Sequence, residues 1–120
     1  MKRILIAEDN DSNYMLMTYI LKSQYGIFRA FNGVEAVEKA KTEKPDMVLM
    51  DMRMPVMDGL SATRAIRSMN REDARTVPII ALTANAFDND RQQALDAGCN
   101  DFISKPVNAA LCLELIAKYI

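Results

Sequence analysis

The amino-acid sequence predicts an α/β fold in which a parallel sheet carries helices on both faces. Three observations lead there. Short apolar runs such as Ile4-Leu5-Ile6-Ala7 and Met47-Val48-Leu49-Met50 lack polar alternation, the pattern of strands buried on both faces. Between the runs lie segments with apolar residues at helical spacing, so strand and helix alternate five times. Such alternation implies parallel strands joined by right-handed crossovers. Finally, several runs stop on a polar or charged residue, and strands sharing one direction bring their carboxyl ends to one rim.

The elements follow in order. Residues 4–7 form a buried strand ending at Glu8-Asp9. Asn10, Asp11 or Ser12 can cap the next helix, which has apolar positions at Tyr14, Met15, Met17, Ile20 and Leu21 and is closed by Gly26. Residues 27–31 give a second strand. Asn32-Gly33 then turns into a helix bearing Val34, Val37 and Ala40. Residues 47–51 form a third strand, which runs into Asp51 and is broken by Pro55 and Gly59. Leu60, Ala62, Ala65, Ile66 and Met69 mark a third helix. Residues 70–76 are polar, lack apolar rhythm and read as a surface loop. A fourth strand covers 77–82 and ends in Thr83. Residues 88–97 form a weaker helix stopped by Gly98, 101–104 a short strand, and Lys105-Pro106 a break. A last amphipathic helix covers 108–119.

Composition narrows the function. The 120 residues suffice for one domain, 1–120, with its own core. A net charge of −1 argues against nucleic acid as a direct partner. No apolar run is long enough for membrane insertion, and no signal-peptide pattern opens the chain. Cys99 and Cys112 have neither metal spacing nor a disulfide framework and read as reduced thiols of a cytoplasmic protein. Histidine is absent, which excludes His triads, His metal sites and a phosphohistidine on this chain. None of the four glycines belongs to a phosphate-binding loop.

The rim residues carry the chemistry. Glu8 and Asp9 end the first strand, Asp51 the third and Thr83 the fourth, and Lys105 follows the fifth. Two like charges about 4 Å apart at the surface repel by roughly 4 kcal/mol, so this cluster needs protons or a cation to neutralise it. All its ligands are hard oxygens. Mg2+, or Mn2+ in its place, suits them and recruits phosphate oxygens. A metal, an Asp and a Lys together describe phosphoryl transfer, with the carboxylate as nucleophile and Lys105 and Thr83 on the transferring oxygens.

Over essentially its whole length the chain resembles a response-regulator receiver domain of the two-component phosphorelay family. The resemblance rests on Glu8-Asp9, Asp51 followed by Met54-Pro55 and Asp58-Gly59, Thr83-Ala84 and Lys105-Pro106. It implies a flavodoxin-like, doubly wound five-stranded sheet of order 2-1-3-4-5 with five helices. It also implies a switch rather than an enzyme, one that catalyses only its own phosphorylation and dephosphorylation. Asp51 would accept a phosphoryl group from a phosphohistidine on a histidine kinase or His-phosphotransfer protein. Asp9, Asp51 and the Arg53 backbone carbonyl would ligate Mg2+, with Glu8 acting through water. Thr83 and Lys105 would contact the phosphoryl group, and the Lys105–Pro106 bond would be cis. Thr83 and Phe102 would form the switch, altering the surface made by 88–97, 101–104 and 108–119 for an unidentified output partner. Arg53 and Asn85 would tune the lifetime of the phosphoryl group. Phe102 stands where many relatives have Tyr, so packing alone must favour its inward rotamer. The residues around Asp9-Asn10, Asn13 and Thr83-Ala84-Asn85-Ala86 resemble receivers attached to hybrid sensor kinases.

Rival readings fit less well. A haloacid-dehalogenase-like aspartyl-phosphate phosphatase wants a second Asp two residues after the nucleophile, and Arg53 cannot deliver a proton near neutral pH. In a flavin-mononucleotide module the phosphate would meet the repulsion of Glu8-Asp9. Met47, Met50, Met52, Met54 and Met57 read as core filling rather than a soft-metal site. Arg64, Arg67, Arg71 and Arg75 read as a solvated face.

Overall fold

A computed structural model describes residues 1–84 and 88–120, with the backbone alone at 88 and 89. Five strands, β1 (Arg3–Ala7), β2 (Gly26–Ala30), β3 (Met47–Asp51), β4 (Ile79–Thr83) and β5 (Asp101–Ser104), form one parallel sheet. Their spatial order is β2-β1-β3-β4-β5, the doubly wound order expected. The helices are α1 (Asp11–Leu21), α2 (Gly33–Glu43), α3 (Gly59–Arg67), α4 (Glu72–Thr76), α5 (Asp88–Ala97) and α6 (Ala109–Ala117). No helix among the described residues is long and apolar enough to cross a membrane.

The period of two along each strand divides the core between the two faces of the sheet. Ile4, Ile6, Met47, Leu49, Ile80 and Leu82 pack with Met17, Ile20 and Leu21 of α1 and Cys112 and Ile116 of α6. Leu5, Ala7, Val48, Met50, Ile79 and Ala81 pack with Ala36 and Ala40 of α2, Ala62 and Ile66 of α3 and Ala94 of α5. The same alternation carries past the strand ends. Glu8 continues the parity of Ile4 and Ile6, and Asp51 that of Met47 and Leu49, so both carboxylates belong to the α1–α6 side.

Helix starts are set at the rim by short polar side chains. Asn10 accepts from the Asn13 N–H at 2.9 Å, Asn32 from Glu35 at 2.9 Å, Asp58 from Ser61 at 2.8 Å and Asn108 from Leu111 at 3.0 Å. Each satisfies an orphan donor of the first turn, worth about 1 kcal/mol. These caps start α1 and α2 close beyond the strands they follow, and α3 and α6 after the longer rim loops 52–58 and 105–108.

Two expectations are corrected. Residues 70–76 are not all loop: 72–76 form α4, making six helices among the described residues rather than five. One buried apolar residue, Ala74, anchors that turn, so no apolar rhythm marks it. Its remaining support is polar, from Arg67 Nη1 to the Ala74 carbonyl at 3.2 Å and from an Arg71–Asp73 pair at 2.6 Å. Nor does Gly26 close α1. The helix ends at Leu21 with Lys22 as its cap, and Gly26 opens β2, donating to the Lys2 carbonyl at 2.8 Å. Strand bounds shift slightly: β2 ends at Ala30, before Phe31, and β4 starts at Ile79, because Pro78 has no N–H to donate. Gly98 stops α5 as expected, at φ +114.

Candidate functional site

The crossovers bring the strand ends to one cleft of about 420 Å3, lined by Glu8, Asp9, Asp51, Thr83 and Lys105 among others. Glu8, Asp51 and Thr83 are buried, whereas Asp9 is exposed. Carboxylate oxygens of Glu8, Asp9 and Asp51 lie within 4.8 Å of one another. Such a cluster requires counter-charge, and part of it comes from the far edge of the sheet. The Lys105 ammonium lies 3.0 Å from Glu8 Oε1 and 3.2 Å from Asp51 Oδ1.

Local backbone fixes these groups. Asp51 Oδ1 accepts the Arg53 N–H at 3.2 Å, and Glu8 Oε2 accepts the Asn10 N–H at 3.3 Å. The Lys105 N–H donates to the Thr83 carbonyl at 2.8 Å, tying the lysine to the end of β4. The Lys105–Pro106 peptide is cis. Gly59 allows α3 to start against the end of β3, since a Cβ there would meet the Asp51 carbonyl at 2.2 Å.

The charges remain out of balance. Burial, and then the adjacent Asp51 carboxylate, pushes the Glu8 carboxyl up to about 7 from an ordinary 4.5; Lys105 and the Asn10 N–H offset this only in part. Burial works against the Lys105 charge, but its bonds to Glu8 and Asp51 outweigh it and hold the ammonium above its usual range. Three carboxylates thus face one ammonium, with neither His nor Cys among the described lining residues. That donor set fits a hard divalent cation such as Mg2+, which takes one or two carboxylates and keeps several waters.

The remaining expected site residues lie as follows. Arg53 lines the cleft with its side chain exposed, and it occupies the position where the phosphatase reading needs an acid. Phe102 is half-buried on β5 against the α3–α5 core, with the Arg91 guanidinium 4.4 Å from its ring centre. Asn85 lies outside the described residues. Asn13, Asp90 and Gln93 also line the cleft. Asp90 and Gln93 were missed because they sit on α5, away from any strand end; a shared helix face toward the rim was their only signal.

Comparison with known proteins agrees with this geometry. A family model described as the response regulator receiver domain matches residues 4–117. Hybrid signal transduction histidine kinase G of Dictyostelium discoideum is 43% identical over 121 residues, covering 98% of this chain; the chain spans 4% of that protein's length. Among solved structures, the receiver domain of sensor histidine kinase PA1611 from Pseudomonas aeruginosa PAO1, with magnesium coordinated in its active-site cleft, superposes with a TM-score of 0.90. It is 42% identical, and 98% of this chain and 96% of that one are covered. The receiver domain of Ssk1 from Saccharomyces cerevisiae, solved together with the histidine phosphotransfer protein Ypd1, has a TM-score of 0.90 and 32% identity, with 98% and 88% covered.

Proposed function

This chain belongs to the response regulator receiver domain family of two-component phosphorelays, and from that premise we propose that Asp51 is its phosphoacceptor. Residues 1–120 act as one cytoplasmic receiver unit. The donor is a phosphohistidine on a histidine kinase or phosphotransfer protein. One Asp51 oxygen forms a bond to phosphorus as the P–N bond breaks, and the imidazole leaves with the electron pair. The observation that carries this reading is the buried Asp51 carboxylate, set beside Glu8 and Lys105 at the mouth of the cleft.

Asp9, Asp51 and the Arg53 carbonyl would hold Mg2+ directly, and Glu8 would act on it through water. Bound there, the cation neutralises the carboxylates and the charge on the incoming phosphoryl oxygens. Lys105, which bridges Glu8 and Asp51, moves its ammonium onto a phosphoryl oxygen as negative charge accumulates there. The Thr83 hydroxyl takes another oxygen. Phe102 then turns inward, and having no hydroxyl it is held there by packing alone. The surface of α5, β5 and α6 changes for the output partner. Arg53 and Asn85 set how long the acyl phosphate survives. The chain turns over no substrate other than its own phosphoryl group.

The test is transfer. A phosphorylated histidine phosphotransfer protein, isotopically labelled and mixed with the chain and Mg2+, should lose its label to an alkali-labile product on this chain. Label that stays on the donor, or multiple turnover of a generic phosphomonoester, would contradict the reading.

A further inference from the structure

We propose that Arg29 is a positioning residue for the divalent-cation site: its Nε–H clamps the Glu8 carbonyl, so the turn after β1 presents Glu8 and Asp9 to Asp51. Arg29 lies on β2 in register with Ile6 of β1. Its Nε donates to the Glu8 carbonyl at 3.0 Å, while the Glu8 N–H donates to the Ala30 carbonyl at 3.0 Å. Both peptide groups of Glu8 are therefore tied to β2, and the direction of the Glu8 carbonyl sets where Asp9 begins.

The guanidinium is itself fixed. It stacks 4.4 Å from the Tyr14 ring centre and 4.1 Å from that of Phe31, with its side chain 14% exposed. The Lys39 ammonium holds the Arg29 carbonyl. An ordinary surface ion pair does not account for this burial. Nη2 approaches Asp11 Oδ1 to 2.9 Å, but without hydrogen-bond geometry, and the Asp11 side chain is 83% exposed. Removing a guanidinium from water is costly unless its geometry serves a bond. The well-formed side-chain bond seen here ends on the backbone of the acid pair. Groups that orient ligands in this indirect way commonly govern metal affinity.

The inference rests on the reading of the cleft as an Mg2+ site. It is tested with the full chain by titrating Mn2+ and following the free ion by electron paramagnetic resonance, with melting curves in EDTA to confirm folding. Arg29→Met should weaken Mn2+ binding about tenfold or more. Arg29→Gln carries an amide nitrogen at the same place along the side chain as Nε and should stay within about threefold of wild type, because it keeps the donor without the charge. At saturating Mg2+ the labelling rate of Arg29→Met with a small phosphodonor should return to near wild type, its half-maximal Mg2+ concentration raised by the same factor. If Arg29→Met does not fold, Tyr14→Leu, which removes one stacking ring, should still weaken Mn2+ binding several-fold. Unchanged affinity in Arg29→Met, or in Tyr14→Leu where that variant decides, overturns the proposal, as does Arg29→Gln falling as far as Arg29→Met. A wild-type chain that binds no Mn2+ would instead remove the underlying reading of the cleft.

Discussion

Glu8 shows most directly how burial and charge compete at this site. Its folded-state pKa of about 7 exceeds the ordinary 4.5, so between these values the folded chain binds more protons than the unfolded chain. In EDTA, its contribution to stability is therefore complete below about pH 4.5 and is lost as pH rises through about 7. Glu8→Gln removes that loss. The variant should be more stable than wild type at pH 8 by about 1–3 kcal/mol, and the difference should vanish near pH 5 in paired thermal melts. Mg2+ should narrow or reverse the ranking, since a ligand at a hundred times its Kd adds about 3 kcal/mol to the chain that binds it. The acidic residues were legible in the sequence because each stops an apolar run. Arg29 was not, because its role depends on Tyr14 of α1 and Phe31, just after β2, closing around it. Asp90 stayed hidden for a similar reason: nothing about one carboxylate on a polar helix says which face turns to the rim.

Elements position the site through their ends, and α3 is the clearest case. Its first residue, Gly59, lies so close to the Asp51 carbonyl that any side chain must push the strand end away. Gly59→Ala should cost about 1–3 kcal/mol and also slow labelling of Asp51, as read by denaturant melts and phosphorylation time courses. The other end of α3 has a purely structural task. Arg67 donates to the Gly98 carbonyl, the Ala74 carbonyl and Asn100 Oδ1, at 2.9, 3.2 and 2.8 Å, joining α3 to α4 and to the turn after α5. Arg67→Met should lower stability by about 2–4 kcal/mol with little change in Mg2+ affinity, which calorimetric titration would check. These long-range bonds also explain why α4 escaped the sequence reading. A helix anchored by Ala74 alone and held by arginines from elsewhere leaves no periodic trace. Strands 1 and 3, each a continuous apolar run, were legible almost to the residue and strand 4 to within two, whereas Gly26 misled because a glycine after a helical segment commonly marks its end.

At the scale of the molecule, the crossovers convert sequence order into a shared cleft. β1 and β3 are neighbours at the centre of the sheet, and β4 and β5 follow on one side, so Glu8, Asp51, Thr83 and Lys105 meet although the chain separates them widely. The parallel sheet and this convergence were readable from where the apolar runs stop, whereas the strand order came from the family resemblance. The switch role proposed for Phe102 and the lifetime roles proposed for Arg53 and Asn85 rest on resemblance alone, since no residue pattern implies them. The central claim is that this convergence makes Asp51 a Mg2+-dependent phosphoacceptor. It is tested by intact-mass analysis of the chain after treatment with acetyl phosphate or phosphoramidate. The account predicts a single phosphoryl adduct that requires Mg2+ and disappears in Asp51→Asn. An adduct that persists in that variant, or that forms equally well in EDTA, would contradict it.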